Sequence, residues 1–254
     1  MIIVISPAKS LYSHSPIHHE TFSQPDFLPE AQQIVSVMKK KKPAQLSSLM
    51  DISPKLAELN YRRFQEWAPP FTPENSWQAV LMFNGDCYQG LRAETFSSIE
   101  FETAQQHLRI LSGVYGLLKP LDLIQPYRLE MGTSISIARK KNLYEFWKTK
   151  ITGKLNLEMA ETGQKELINL ASNEYFGAID TKKLKARIIT PSFKEQKNGQ
   201  YLMVSFFAKR ARGLMSRFII QNGITDPEEI KAFNLEGYYF NNQLSKAGNW
   251  VFTR

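Results

Sequence analysis

Hydrophobic runs bounded by turn-forming residues predict a set of strands along this chain. Ile2–Ile5 is a continuous apolar run, which is typical of a strand buried on both faces. Trp77–Phe83 and Leu167–Ala171 are runs of the same kind and predict two further strands. Shorter aromatic-rich runs near Tyr238–Phe240 and Trp250–Phe252 predict the last two strands.

Apolar residues at helical intervals predict helices between these strands. Such spacing runs from Leu28 to Met38, from Phe101 to Leu111 and from Leu143 to Met159. Ser53–Pro54 predicts the start of another helix. A Ser side chain can accept a hydrogen bond from a backbone N–H of the first turn, and Pro fits the first position of a helix. Helices and strands alternate without a regular βαβ order. We therefore expect a single domain over residues 1–254, of the α/β class with mixed α+β character and a mixed sheet.

A hairpin and a two-sided helix are predicted in the last third of the chain. Asn198 and Gly199 separate the apolar runs Ala186–Phe193 and Gln200–Phe207, and both turn residues tolerate positive φ. The next stretch predicts a helix that stops before Gly223. Its predicted buried face holds Phe207, Ala211, Leu214, Met215, Phe218 and Ile219. Its predicted outward face holds Lys209, Arg210, Arg212 and Arg217, with Gly213 and Ser216 as small fillers.

The composition is that of a folded protein without a membrane span. Hydrophobic residues make up 43% of the chain, which is ample for a core. No run of about 18 apolar residues is present, so no transmembrane helix is predicted. The first residues lack the basic start of a secretory signal, and the lone Cys87 excludes an intramolecular disulfide. We therefore expect a cytoplasmic protein that does not bind membranes.

Positive charge is concentrated in one segment, Thr181–Arg217. The segment holds ten Lys or Arg residues and one acidic residue, Glu195, a net charge of +9. The whole chain carries +8, so the remainder sums to −1. A local excess of one sign concentrates ligands of the other sign, and nucleic acid is the commonest polyanion in a cell. A solvated face is the alternative, and charge alone does not separate the two.

Polar residues follow three of the predicted strands. Lys9 follows Ile2–Ile5, Asp86 follows Trp77–Phe83, and Glu174 follows Leu167–Ala171. Because ligands in open α/β sheets bind at the carboxyl ends of strands, these three side chains are candidates for one catalytic site. A simpler interpretation stays open for each segment. Lys9 could serve only to bind an anion, Asp86 could belong to a turn beside the buried Cys87, and Glu174 could follow a Ser172 that caps a helix.

A glycine-bracketed turn is a further candidate for phosphate binding. Gly113 and Gly116 follow the helix predicted to end near Leu111, and helical hairpins of this kind offer backbone N–H groups to phosphate. The stretch loosely matches a helix-hairpin-helix element. Pro120 counts against this match, because it interrupts a long second helix. An ordinary glycine-terminated helix followed by a loop is the alternative.

Three histidines near the N-terminus do not predict a metal site. His14 and His18 have the spacing of two ligands on a helix, and His19 adjoins them. Pro16 places them in a predicted loop, and no acidic or cysteine partner has an informative spacing. We interpret them as exposed loop histidines, and we predict neither a metal nor a cofactor.

Five longer phrases are more specific than any of these spacings. They begin at Ser6, Leu111, Gln125, Asn169 and Phe206, and read SPAK, LSGVYGLLKPLD, QPYRLEMG, NLASNEY and FFAKRARGLMSRF. Together they resemble the bacterial peroxide-stress resistance protein YaaA family, over Met1 to about Phe252. The resemblance implies a cytoplasmic protein induced by peroxide, which limits free intracellular iron and so restrains Fenton damage to DNA.

The resemblance also implies a structure and a set of site residues. The implied fold is a single unusual α/β domain with a positively charged cleft and a helix-hairpin-helix element. Residues that would line or neighbour the cleft are Lys9, Gly113, Gly116, Lys119 and Arg128, with Lys209, Arg210, Arg212 and Arg217. The basic segment adds Lys182 and Lys183 as candidate DNA-binding residues.

Two hypotheses of different class follow. The first is a protective protein that binds DNA through phosphates, largely independently of base sequence. The second is an enzyme whose basic cleft acts on a nucleic-acid or phosphorylated substrate. It requires Lys9, Asp86 and Glu174 to lie in one pocket within reach of a common atom, and not to be scattered or buried in separate hydrogen bonds. The sequence leaves the oligomeric state, the preferred DNA structure and any substrate open.

Overall fold

The computed structural model describes residues 1–12 and 19–254, and its main sheet has eight strands. The strands are β1 Ile2–Ile5, β2 Ser10–Leu11, β3 Trp77–Gln78, β4 Phe83–Asn84, β5 Leu108–Ser112, β6 Gly116–Leu118, β7 Leu123–Ile124, β8 Glu166–Leu170, β9 Arg187–Lys197, β10 Gln200–Leu202, β11 Tyr239–Phe240 and β12 Asn249–Thr253. The helices are α1 Leu28–Lys39, α2 Pro43–Met50, α3 Pro54–Glu66, α4 Ala79–Met82, α5 Asp86–Leu91, α6 Ser98–His107, α7 Leu143–Thr162, α8 Asn173–Phe176 and α9 Ser205–Gln221. The predicted α/β class with a mixed sheet is confirmed.

The first strand lies in the middle of the main sheet. The strand order is β11-β12-β9-β8-β1-β5-β6, and β10 pairs with the end of β9. β1 runs parallel to both of its neighbours, β5 and β8. Ile2–Ile5 are at most 1% exposed, so β1 is covered on both faces, as its unbroken apolar run predicted. The carboxyl ends of β1 and β8 therefore lie side by side at one edge of the sheet.

Most of the predicted elements are present. Ser53 caps α3, because its Oγ accepts a hydrogen bond from the backbone N–H of Leu56 at 3.4 Å. The hairpin at Asn198 and Gly199 joins β9 to β10, and these residues have φ angles of 51° and 76°. The second strand of the hairpin is shorter than predicted, since the chain enters α9 at Ser205.

Two predicted elements are wrong. Trp77–Phe83 is not one strand, because Ala79–Met82 forms a helical turn between β3 and β4. The helix predicted to reach Leu111 ends at His107, and Leu108–Ser112 pairs with β1 as strand β5. The turn that follows therefore joins two strands, and the helix-hairpin-helix expected here is a β-hairpin.

Two glycines bring α9 into close contact with α5. A Cβ atom at Gly213 would lie 1.7 Å from the carbonyl oxygen of Cys87. One at Gly90 would lie 2.2 Å from the carbonyl oxygen of Arg210. Gly213 and Ser216 are buried, although they were predicted to be fillers on the outward face. α9 is thus covered on more than one side, and only part of its basic side faces solvent.

A buried carboxyl group holds the segment after residue 19 against the core. Asp122 is 1% exposed and accepts hydrogen bonds from Ser23 Oγ at 2.6 Å and from the backbone N–H of Lys119 at 2.8 Å. Burial raises the pKa of Asp122 to about 7, although both hydrogen bonds act in the opposite direction. The folded protein therefore retains a proton that the unfolded chain loses near pH 4.

We expect this proton to make stability depend on pH. A raised folded-state pKa contributes stability that is present below the unfolded value and is lost as pH rises through about 7. Relative to Asp122→Asn, which mimics the protonated form, the wild type should lose about 2–3 kcal/mol of unfolding free energy between about pH 5 and pH 8. Urea unfolding of both proteins across this range measures the difference. If the unfolding free energies of the two proteins changed with pH in the same way, Asp122 would not have a raised pKa in the folded protein.

Candidate functional site

A cavity of about 480 Å³ opens where β1 and β8 end. Its walls come from the segments after β1, β4 and β8 and from one side of α9. Lys9, Asp86 and Glu174 all line this cavity. The three strand-end residues singled out from the sequence therefore line one cavity, which is the first condition of the enzyme hypothesis. Two of them have separate partners, since Lys9 pairs with Glu130 and Glu174 accepts a hydrogen bond from Gly132.

Hydrogen bonds tie the strand ends into one wall. The backbone N–H of Ser172 donates to Ser6 Oγ at 2.8 Å, which links the residues that follow β8 and β1. Ser172 also caps α8, since its Oγ accepts from the N–H of Tyr175 at 3.5 Å. Tyr88 Oη donates to the carbonyl oxygen of Ser6 at 3.1 Å and attaches α5 to the same wall. Ser172 therefore caps a helix, as one interpretation of the sequence predicted, and it also lines the polar cavity.

Burial keeps several groups of the cavity neutral. It raises the pKa of the Cys87 thiol to about 12, so the thiolate needed of a nucleophile does not form at neutral pH. The same cause raises the pKa of Tyr88 and of Tyr175 well above the ordinary value. The Tyr88 hydroxyl already donates to Ser6, so these two tyrosines contribute mainly their aromatic rings to the cavity wall.

Two cations of α9 line the cavity without an acidic partner among the residues that the structure describes. Lys209 and Arg212 are three residues apart, so they lie on one side of the helix. Neither side chain forms an ion pair or a hydrogen bond with any residue in 1–12 or 19–254. Burial lowers the pKa of Arg212, yet a guanidinium stays charged at neutral pH. A partly buried and unpaired guanidinium is a strong point of attraction for an anion.

A chain of charges is attached to the cavity through Lys9. Lys9 Nζ lies 2.6 Å from Glu130, and Glu130 in turn accepts a hydrogen bond from Arg128 at 3.2 Å. Glu174 Oε1 accepts from the backbone N–H of Gly132 at 3.0 Å. Arg128 therefore reaches the cavity through Glu130, and its positive charge is partly neutralised there. An anionic ligand has to compete with Glu130 for Lys9.

The other two arginines of α9 are held by the protein itself. Arg210 donates twice to Glu236, at 2.8 and 2.6 Å. Arg217 Nη1 donates to the carbonyl oxygens of Leu91 and Arg92, both at 3.0 Å, and to Thr95 Oγ1 at 2.9 Å. The four basic residues predicted on one outward face are thus divided between the cavity and contacts within the fold.

The remaining candidate DNA-binding residues lie away from the cavity. Gly113 and Gly116 are buried in the β5–β6 turn, where Leu129 and Trp147 cover them. Lys119 donates its backbone N–H to Asp122. Lys182 and Lys183 are exposed and precede β9, whose first residue pairs with the first residue of β8. They therefore lie toward the amino ends of these strands, whereas the cavity lies at the carboxyl ends.

The histidines show no metal site in the part of the chain that can be described. His14 and His18 lie outside the described residues. His19 Nδ1 is 2.8 Å from Thr21 Oγ1, and its ring packs on Phe101 with the centroids 4.4 Å apart. No group of three or more His, Cys, Asp or Glu side chains within residues 1–12 and 19–254 is placed to hold a metal ion.

Tyr88 and Arg212 illustrate what the sequence patterns missed. Tyr88 is the last residue of the phrase FNGDCY, which begins with β4. Its position two residues after Asp86 does not predict that it lines a cavity. Arg212 was predicted only as one of several outward cations. Its special position depends on the close contact at Gly213, for which the adjacent glycine was the available signal.

A family comparison agrees with this arrangement of motifs. The model of the family described as peroxide stress protein YaaA matches residues 1–244. The chain therefore belongs to the peroxide stress protein YaaA family, and the resemblance found in the sequence is confirmed. No helix in the described ranges is long and apolar enough to cross a membrane.

Proposed function

We propose that this member of the family binds DNA through the cavity edge during peroxide stress. The observation that carries the proposal is the pair Lys209 and Arg212, two cations that line the cavity without an acidic partner among the described residues. Phosphate oxygens supply the acceptors that these side chains lack, and a guanidinium bonds two of them at once. Backbone contacts of this kind carry little base specificity, so binding is largely independent of sequence.

The salt dependence of binding tests this proposal. A labelled DNA duplex and the matching single strand are titrated with the protein at several salt concentrations, and binding is followed by fluorescence anisotropy. Replacing Lys209 by Glu and Arg212 by Met should lower affinity at least about tenfold and make the plot of log K against log salt shallower by about 1.8 for two phosphates. Met retains most of the Arg212 stem inside the protein.

The chain offers a matched control for this variant. Lys182→Glu with Lys183→Glu changes more charge in the same basic segment, but toward the amino ends of β8 and β9, whereas the cavity lies at the carboxyl ends. The salt slope should stay within experimental error for this control. Equal losses in the two variants would show that only net charge matters, and no binding of the wild type to either DNA form would refute the proposal.

A second candidate function is an enzyme acting on a nucleic-acid or phosphorylated substrate. It is favoured by Lys9, Asp86 and Glu174 lining one cavity, since carboxylates beside cations can transfer protons at a bound phosphate ester. We expect the wild type, incubated with DNA and with nucleoside phosphates, to form a product seen by mass spectrometry. Asp86→Asn with Glu174→Gln should stop product formation and leave binding intact. No turnover of any of these probes by the wild type counts against an enzyme.

The limitation of free iron is proposed on family membership. A bacterial strain that lacks its own family member should regain peroxide survival and a low free-iron signal in electron paramagnetic resonance when it expresses the wild type. Arg212→Met should restore less of both if the cavity serves this role. If Arg212→Met restored both fully, the limitation of free iron would not depend on the cavity.

A further inference from the structure

One stretch of surface, which ends in the first turn of α9, carries consecutive large apolar side chains. Every residue of 201–207 except Ser205 is apolar or aromatic, and all six of these are exposed. The prediction that Phe207 lies on the buried face of α9 is therefore wrong. We call this stretch the apolar segment. Met203 is 56% exposed and Phe206 is 54% exposed. Single exposed apolar residues are common, whereas a contiguous group of this size marks a surface that contacts something else.

The apolar segment adjoins the cavity along α9. Phe206, Lys209 and Arg212 follow one another at intervals of three residues, so they lie along one side of the helix. Lys209 and Arg212 line the cavity, and Phe206 stands one turn before Lys209. An exposed aromatic ring, an exposed cation and a partly buried guanidinium therefore form a line that leads into the cavity.

The interior of the cavity suits a planar polar group. Tyr88 and Tyr175 provide aromatic walls, and the side chains of Asp86 and Glu174 provide acceptors for amino groups. Asn84 adds a side chain that can both donate and accept. Enzymes and binding proteins that take a base out of a duplex hold it by stacking and by hydrogen bonds to its pairing edge. A volume of about 480 Å³ accommodates one nucleotide.

We propose that the apolar segment inserts into stacked DNA bases and that the cavity receives the displaced nucleotide. Leu, Met and Phe side chains act as such wedges in other proteins that unstack DNA. Lys209 and Arg212 then contact the phosphates that flank the displaced nucleotide. The inference rests on the DNA-binding function proposed above and specifies which part of the DNA enters the site. Nucleic acid is favoured over a lipid surface, because the segment shares a helix with Lys209 and Arg212, and these two cations line a cavity that also has aromatic and acidic walls.

Fluorescence of 2-aminopurine in a duplex tests the displacement of a base. This base analogue is quenched by stacking and brightens when it leaves the stack. We expect the wild type at saturation to raise its fluorescence several-fold. Met203→Ala with Phe206→Ala should reduce that rise at least about fivefold, since base contacts of this kind contribute about tenfold each. The affinity measured by anisotropy and its salt slope should change much less, because the cations remain.

Leu157→Ala is the matched control, since Leu157 is 54% exposed on α7. It should leave the fluorescence rise unchanged. A wild type that binds the duplex without any rise in fluorescence overturns the inference and leaves DNA binding in place. Absence of DNA binding overturns both. A wild-type dimer that Met203→Ala with Phe206→Ala converts to monomers, seen by sedimentation, overturns the inference in favour of a second copy covering the segment.

Discussion

Replacing Gly213 by Ala should cost at least about 4 kcal/mol of unfolding free energy, which places it among the most damaging single substitutions. A Cβ atom at this position would lie 1.7 Å from the carbonyl oxygen of Cys87 and 2.8 Å from the backbone nitrogen of Leu91. Both are backbone atoms of α5, so no flexible side chain can move aside. The two helices have to separate, and the packing between them is lost. The midpoint of urea unfolding measures the effect.

Gly153→Ala provides the control for this prediction. Gly153 is exposed inside α7, and a Cβ atom there would meet no atom of the described residues within 4 Å. Ala is the better helix former by up to about 1 kcal/mol, so this variant should be slightly more stable than the wild type. A Gly213→Ala protein as stable as the wild type would show that α5 and α9 are not held as close as described.

Helix separation should also reach the cavity. Arg212 directly precedes Gly213, and Cys87 lies in the wall that α9 touches. Where a Gly213→Ala protein still folds, we therefore expect weaker DNA binding although no charge has changed. Such a loss would show that the close contact at Gly213 positions the Arg212 guanidinium in the cavity, because a basic surface that acts over a longer range would not depend on this contact.

The parts of the fold that were predicted correctly are those with one dominant local signal. Ile2–Ile5 and Leu167–Ala171 are unbroken apolar runs, and such runs are stable only as buried central strands. Leu108–Leu111 lacked such a signal, since its apolar residues fit a helix as well as a strand. Pairing of Leu108 with Ile3 decided the outcome, and that partner lies more than a hundred residues away.

The candidate site shows the same division. Lys9 and Glu174 could be grouped from the sequence, because they follow two predicted strands that are parallel neighbours in the main sheet. Asp86 was grouped with them from a predicted strand that is wrong, and it reaches the cavity from the segment after β4, which pairs with β2 outside the main sheet. The roles of Arg212 and Arg217 could not be separated, since both are basic residues on one helix. The two arginines differ in what their side chains contact in the folded protein, since Arg212 lines the cavity and Arg217 donates hydrogen bonds within the fold. Arg217 meets carbonyl oxygens some 126 residues earlier in the chain, and no local pattern encodes that contact.

Replacing Arg217 by Met should therefore destabilise the protein without weakening DNA binding. The guanidinium donates to two carbonyl oxygens at the end of α5 and to Thr95 Oγ1, and it lies 5.4 Å from the ring centroid of Phe96. Hydrogen bonds from a charged donor contribute about 1.5–3 kcal/mol, so we expect a loss of about 2–3 kcal/mol in urea unfolding. Met keeps the apolar stem in place and isolates the loss of the hydrogen bonds.

The DNA titration then distinguishes a structural arginine from a phosphate-binding one. Arg217→Met should keep the wild-type salt slope, whereas Lys209→Glu should make it shallower by about 0.9 or more and leave stability unchanged. This opposite behaviour is expected because Arg217 has its acceptors within the fold and Lys209 has none among the described residues. A shallower slope for a correctly folded Arg217→Met protein would mean that Arg217 leaves its carbonyl partners to bind phosphate. The basic side of α9 would then act as one surface, as the sequence pattern first indicated.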